Sequence, residues 1–289
     1  MEEASFPPKI YLLGSQKAGT TQLASYLDQH PDICLANPKE PDYYTQHHEK
    51  GLQWYQQKFS RQSRCLIDAS TSYSCAPLPN YFPQDVGFKS AYADIPQRIF
   101  NTVPDARFIY IMRNPVQRAY SAYQHQIRAG LEHRSFDEAV AANSYYLRTG
   151  HYVGQIELYL EYFPRERFKF VFFEDLIQQP HAIVRDCFRF IGLQDDVALT
   201  DEVSQNKSFV YKGGFGRINQ MIGRKGGINK LVKSVKPLIP KSVMHLMAKA
   251  MTEKPESMTE NQKNRLTDYY SQPNELLKSM LGIKQLPWN

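Results

Sequence analysis

Apolar residues along this chain follow two alternating rhythms. Short, nearly uninterrupted apolar runs at residues 10–13, 33–35, 65–67, 107–112 and 168–173 predict buried β-strands, with RFIYIM and FKFVFF the strongest. Between them apolar positions recur at three- and four-residue spacing, the mark of amphipathic helices. The first such stretch, 20–29, puts Leu23, Tyr26 and Leu27 on one face and stops before Pro31; others cover 116–128, 135–143, 152–162 and 181–191. Ser135 and Glu138 have the spacing of a capping box. Strand and helix alternate through the first two thirds, which predicts an α/β fold of three layers, α/β/α, with a central parallel sheet. After about Asn206 the texture changes to Gly-Gly pairs, Pro237, Pro240 and methionine-rich helical pattern. Residues 206–258 are therefore expected to form a lid or substrate-side segment, and 259–281 a closing amphipathic helix. No repeat divides the chain, so a single domain over 1–289 is expected.

In open α/β sheets ligands bind at the C-terminal ends of the strands, and two of those ends are chemically distinctive. The first strand runs into Gly14-Ser-Gln-Lys17-Ala18-Gly19-Thr20-Thr21 just before a helix. Backbone N–H groups at such a turn point outward together, and the helix dipole adds to their attraction for a phosphate. The nucleotide loop GxxxxGK[ST] wants lysine after its second glycine; here Thr20 holds that place and Lys17 lies inside the loop. The strand at 107–112 ends in Arg113-Asn-Pro-Val-Gln-Arg-Ala-Tyr-Ser121. Arg113 and Ser121, a planar donor fork and a hydroxyl eight residues apart on the helix start, suit a phosphate monoester.

The net charge of +6 and pI near 9.0 favour an anionic partner. Basic residues concentrate only modestly at 207–241, which reads as a solvated face; no nucleic-acid partner is expected. Cys34, Cys65, Cys75 and Cys187 lack metal-binding spacing, so no metal is expected, and they read as buried thiols of a reducing compartment, with a Cys65–Cys75 bridge left open. No apolar run approaches the ~20 residues of a membrane span, and a cytoplasmic location is expected.

Two phosphate sites on one sheet edge imply a nucleoside with phosphates at both ends. The residues resemble the sulfotransferases that use 3′-phosphoadenosine-5′-phosphosulfate (PAPS), of the carbohydrate and heparan type and their bacterial counterparts. Lys17-x-Gly19-Thr20-Thr21 is similar to that family's 5′-phosphosulfate loop, and Arg113-Asn-Pro-x-x-Arg-x-x-Ser121 to its 3′-phosphate motif. The likeness continues through Glu132 with Ser135-Phe-Asp-Glu-Ala, Gly150-x-Tyr152, Phe173-Glu-Asp-Leu176, and Leu281-Gly with Trp288. The resemblance implies the P-loop-like sulfotransferase fold, PAPS as cofactor with the bisphosphate PAP as product, and no metal. It assigns Lys17 to the bridging oxygen of the leaving phosphate and Lys17, Ala18, Gly19, Thr20 and Thr21 to the 5′-phosphate cradle. Arg113 and Ser121 fall at the 3′-phosphate. A covering loop late in the chain is matched to Tyr211, Lys212, Gly213 and Gly214, with Lys225-Gly-Gly227 competing for the role.

The acceptor must lose a proton as it attacks sulfur, so a general base is required. Asn37-Pro-Lys-Glu40-Pro-Asp42-Tyr-Tyr44 resembles the Lys-Glu-Pro segment of carbohydrate sulfotransferases, which marks Glu40 as the base; His125 is the backup. Asp42, Tyr44, Tyr73, His125 and Arg128 are candidate contacts to a small-molecule or carbohydrate acceptor, and the segment Asp68-Ala-Ser-Thr-Ser-Tyr73 is read as a pocket wall. A tailoring enzyme of a small natural product fits equally well. A P-loop kinase or NTPase is the competing enzyme class, with Phe173-Glu-Asp175 the nearest imitation of its metal-binding strand end. A non-catalytic polyanion-binding protein is the third reading.

Overall fold

The computed structural model describes residues 6–60, 63–85, 91–201, 210–211, 252–253 and 257–288. In chain order the elements are β1 (Ile10–Gly14), α1 (Thr20–Leu27), β2 (Ile33–Leu35), α2 (Tyr43–Gln46), α3 (Gly51–Gln56), β3 (Cys65–Asp68), α4 (Ile95–Thr102) and β4 (Arg107–Met112). There follow α5 (Pro115–Ala129), α6 (Phe136–Ala142), α7 (Tyr145–Arg148), α8 (Tyr152–Leu160), β5 (Phe168–Phe172), α9 (Phe173–Gln178), α10 (Pro180–Ile191), β6 (Val210–Tyr211), β7 (Thr252–Glu253) and α11 (Glu260–Leu281).

The five strands β1 to β5 form one parallel sheet in the order β2-β3-β1-β4-β5. Alternation along the strands sends two different sets of side chains to its two faces. Tyr11, Leu13, Phe108, Tyr110 and Met112 pack beneath α4, α8 and the end of α11 in an aromatic-rich core. Ile10, Leu12, Ile109, Ile111 and Val171 face α1 and α10. Both layers are buried, as expected of a parallel sheet.

The chain leaves β1 toward β2 on one side, then returns to place β4 on the other side. The switch point lies between β1 and β4, and the crevice beyond their C-terminal ends is where such sheets bind ligands.

Several boundaries differ from the sequence pattern. The FKFVFF run ends as a strand at Phe172, and Phe173 opens α9, whose side chain turns toward the β1 loop. The capping box at Ser135 and Glu138 is present, and Thr259 with Gln262 forms a second one that the pattern did not reveal. The helices α2, α3, α4 and α7 are four to eight residues long, too short for a clear period. All four cysteines are buried and free, so the Cys65–Cys75 bridge is not formed. Among the described residues no helix is long and apolar enough to cross a membrane. Most of 206–258 lies outside the described residues; near its two ends, β6 and β7 pair antiparallel, Val210 with Glu253 and Tyr211 with Thr252.

Candidate active site

The loop after β1 is shaped by close packing. Gly14 (φ 149°) lies so near Ile111 that an added Cβ would stand 2.6 Å from its Cγ2, and a Cβ on Gly19 (φ 98°) would stand 2.4 Å from the Phe173 ring. Lys17 takes a left-handed φ of 74°, a conformation that costs a non-glycine residue about 1 kcal/mol or more. The turn is closed by Ala18 N–H donating to the Ser15 carbonyl at 3.0 Å, and Arg113 Nη1 donates to the Lys17 carbonyl at 3.2 Å. No side chain caps the start of α1, which leaves first-turn N–H groups to serve a ligand.

The second strand end is built with equal economy. Asn114 caps α5 by accepting from Val116 N–H and Gln117 N–H, Pro115 occupies the first turn, and the Asn114 N–H donates to Glu174 Oε1 at 3.0 Å. These contacts hold Arg113 at the mouth of the β1–β4 crevice. Its guanidinium lies over the Phe173 ring at 4.8 Å and reaches Gln117 Oε1 at 3.4 Å, while its buried Nε has no acceptor in the described structure. Arg118, five residues on, does something else. It is fully buried, with Nη2 donating to the Tyr146 carbonyl and Nη1 to the Gln16 carbonyl at 3.5 Å, so it ties the phosphate loop to α5.

Together these elements border a cleft of about 620 Å³. Lys17, Gly19, Thr20 and Thr21 line it from the β1 loop; Arg113 from the end of β4; Ser121 and His125 from one stripe of α5; Glu40 and Thr71 from the facing wall; Phe173 and Ile177 from α9. The four-residue step from Ser121 to His125 keeps both on one helix face. On the facing wall Thr71 Oγ1 donates to Glu40 Oε2 at 2.7 Å and Lys39 Nζ lies 2.8 Å from Oε1, with the same ammonium 3.5 Å from Thr20 Oγ1.

The electrostatics suit an anion. Burial lowers the Lys17 pKa, and the nearby charges of Arg128 and Arg113 lower it further. Burial likewise lowers His125, helped by Lys17 and Arg128 and opposed by Glu40, so its imidazole is neutral near pH 7. Burial also lowers Arg113. Cations crowded so closely, together with an unserved guanidinium N–H, match a multiply charged phosphate donor.

The structure thus brings together Lys17, Gly19, Thr20, Thr21, Glu40, Arg113, Ser121 and His125, with Arg128 near enough to act on Lys17 and His125. Ala18 is fully buried and offers only its backbone. Asp42 stands beside the cleft wall, its carboxylate accepting from Ser72 at 2.6 Å and its pKa raised by burial. Two acceptor candidates are corrected. Tyr44 and Tyr73 lie in the aromatic core, Tyr44 Oη 3.2 Å from Tyr11 Oη and Tyr73 Oη donating to Asp68 Oδ2 at 2.8 Å, so neither hydroxyl reaches the cleft. Of the covering-loop candidates, Tyr211 is described only as backbone in β6; Lys212, Gly213, Gly214 and Lys225-Gly-Gly227 lie outside the described residues.

Sequence reading missed Lys39, Phe173 and Ile177, and saw Thr71 only as part of a wall. Asp68 anchors that wall. Its buried carboxylate accepts from Ser70 N–H, Ser70 Oγ, Tyr55 Oη and Tyr73 Oη at 2.6–2.9 Å, and burial pushes its pKa up to about 6 against those bonds. The run of small polar residues after β3 was its only signal.

Known proteins agree with this architecture. The family model described as "Sulfotransferase domain" matches residues 7–278. The chain is 26% identical over 242 residues to human bifunctional heparan sulfate N-deacetylase/N-sulfotransferase 2, covering 76% of this chain and 26% of that protein. It is 30% identical over 199 residues to human heparan sulfate glucosamine 3-O-sulfotransferase 6, covering 65% of this chain and 53% of the relative. It therefore spans between a quarter and about half of these relatives' lengths. A sulfotransferase structure from Alicyclobacillus acidocaldarius superposes over 97% of this chain and 98% of its own, with TM-score 0.66 and 22% identity, which extends the shared fold across the described core. With a family match running nearly end to end, the chain belongs to the sulfotransferase domain family.

Proposed function

We propose that this chain transfers a sulfonate group from PAPS to a hydroxyl or amine of a carbohydrate or small-molecule acceptor. The observation that carries the reading is the meeting of Lys17, Arg113 and Ser121 with the carboxylate of Glu40 in one cleft. Bound PAPS supplies an electrophilic sulfonate on a phosphate leaving group. The β1-loop N–H groups with Thr20 and Thr21 would hold the 5′-phosphate, Arg113 and Ser121 would hold the 3′-phosphate, and Phe173 with Ile177 would offer an apolar surface for the purine. Lys17 would supply the positive charge that a departing phosphate oxygen needs. Glu40 takes the acceptor proton, its carboxylate oriented by Thr71 and Lys39; neutral His125 is the second base within the same cleft.

The names of the two heparan sulfate relatives support a sugar amine or hydroxyl as acceptor. The unbroken family match supports a single domain, and four free thiols support a cytoplasmic location. The competing kinase reading is disfavoured by Thr20 in the lysine position.

Incubation with PAPS and a panel of desulfated heparan oligosaccharides and small hydroxyl or amine compounds, read by mass spectrometry, should show the gain of one sulfonate. Adenosine 3′,5′-bisphosphate should bind without Mg²⁺. Mg²⁺-dependent ATP turnover with no bisphosphate binding would overturn the proposal.

A further inference from the structure

A second cavity, of about 330 Å³, opens at the opposite edge of the sheet, where the strands begin. Four successive strands each deliver one cation to it. Arg64 immediately precedes β3, Lys9 precedes β1, Arg107 is the first residue of β4, and Arg167 precedes β5. Strands lie about 4.8 Å apart, so the four form a row roughly 14 Å long. Asp105 is the one carboxylate lining the cavity. It is taken by Lys9, Nζ to Oδ2 at 2.7 Å.

The three arginines are placed by backbone oxygens or left to solvent. Arg107 Nη1 donates to the Phe190 carbonyl at 2.7 Å, Arg167 Nη1 donates to the Asp105 carbonyl at 3.0 Å, and Arg64 is exposed. Among the described residues none of them has a carboxylate within ion-pair distance. Arg107 and Arg167 also stand side by side, one step before the Phe108–Phe168 register pair. Like charges on neighbouring strands repel, and a shared anion removes that repulsion. The floor, made by the Ile10, Leu66 and Leu193 region, gives no competing acid.

We propose that this edge is a second anion site, separate from the catalytic cleft, for a compact polyvalent phosphate or sulfate, free or carried by a nucleoside. Bidentate guanidinium donors at two or three points favour a di-anionic or higher ligand over a single charge.

The test is calorimetric titration of inorganic pyrophosphate, and separately of ADP, into the whole chain already saturated with adenosine 3′,5′-bisphosphate. The Arg113→Ala variant, whose cleft is weakened, serves as a parallel arm. Binding should persist in both arms, weaken at least tenfold in Arg64→Glu and Arg107→Gln, and fall steeply between low and moderate salt. Pyrophosphate binding without ADP binding assigns a free anion; binding of both assigns the nucleoside-borne form. If Arg107→Gln fails to fold, exposed Arg64→Glu decides alone. No binding once the cleft is filled, or binding unchanged by Arg64→Glu, overturns the site. Arg64→Glu should leave adenosine 3′,5′-bisphosphate binding intact, so failure here is distinct from failure of the sulfotransferase reading.

Discussion

The two walls of the cleft are built by different means. The phosphate wall, from the β1 loop and the start of α5, is made of local motifs whose residues lie close together in sequence and are locked by backbone contacts: the Asn114 cap, and Arg113 reaching the Lys17 carbonyl 96 residues away. The facing wall, the proposed acceptor side, carries the short Lys39-Glu40-Pro41 segment, but what holds it in place comes from elsewhere in the chain. Glu40 is oriented by Thr71, 31 residues later, and the segment carrying Thr71 is pinned by buried Asp68 beneath a cluster of tyrosines. On the proposed function, one wall would bind through groups that any phosphate-handling turn needs, and the other would work only while a buried network holds one carboxylate in place. Binding and turnover are therefore expected to be separable by mutation.

The largest effect is expected from Glu40→Gln. Loss of a general base costs about 10²- to 10⁴-fold in turnover, while the affinity for adenosine 3′,5′-bisphosphate stays within about twofold by calorimetry. Equal loss of both would erase the distinction between the walls. Arg113→Ala should do the reverse, weakening bisphosphate affinity by about 10- to 100-fold, the worth of charged hydrogen bonds. A kcat that collapses at saturating donor would contradict that assignment.

Asp68→Asn strikes the support of the acceptor wall. It leaves the two tyrosine hydroxyls facing an amide, which should cost about 1–3 kcal/mol of stability and lower kcat more than donor affinity. The pH dependence has a definite sign. Because burial raises the Asp68 pKa to about 6 in the folded chain, against about 4 unfolded, its protonation favours folding below about pH 4. That contribution is lost as pH rises through about 6. The stability gap between parent and D68N, measured by denaturant midpoints, should thus be larger at pH 4 than at pH 7 by about 2 kcal/mol; a gap that grows with pH would refute the shift.

The smallest effect is expected from Thr71→Ala. Removing one hydrogen bond to Glu40, worth about 1 kcal/mol, should lower kcat about fivefold while leaving adenosine 3′,5′-bisphosphate affinity unchanged. Thr71→Ser should restore kcat. A Thr71→Ala variant with unchanged kcat would make Thr71 a packing residue.

Legibility followed the same division. Gly14, Lys17, Gly19, Thr20 and Thr21 were readable because a turn of fixed geometry demands them within a few residues, and Arg113 to Ser121 because a strand end and a helix cap bracket them. Tyr44 and Tyr73 were misread as acceptor contacts because tyrosine serves core and pocket alike, and burial decides which. Arg113, just before α5, and Arg118, within it, show the same ambiguity: identical side chains, one lining the cleft, the other buried with its guanidinium on the Tyr146 carbonyl.

The chain's own sequence determined the alternation of strands and helices, the glycine-rich and Arg-Asn-Pro turns at two strand ends and the placement of Glu40 in a Lys-Glu-Pro segment, since these depend on local spacing and backbone geometry. Only the tertiary structure decided that the two ends meet across the β1–β4 switch point, that Thr71 and Lys39 hold Glu40, and that four cations line up along the far edge. Those are contacts between residues distant in sequence, and they exist because the order of strands in the sheet, rather than their order in the chain, sets which side chains become neighbours.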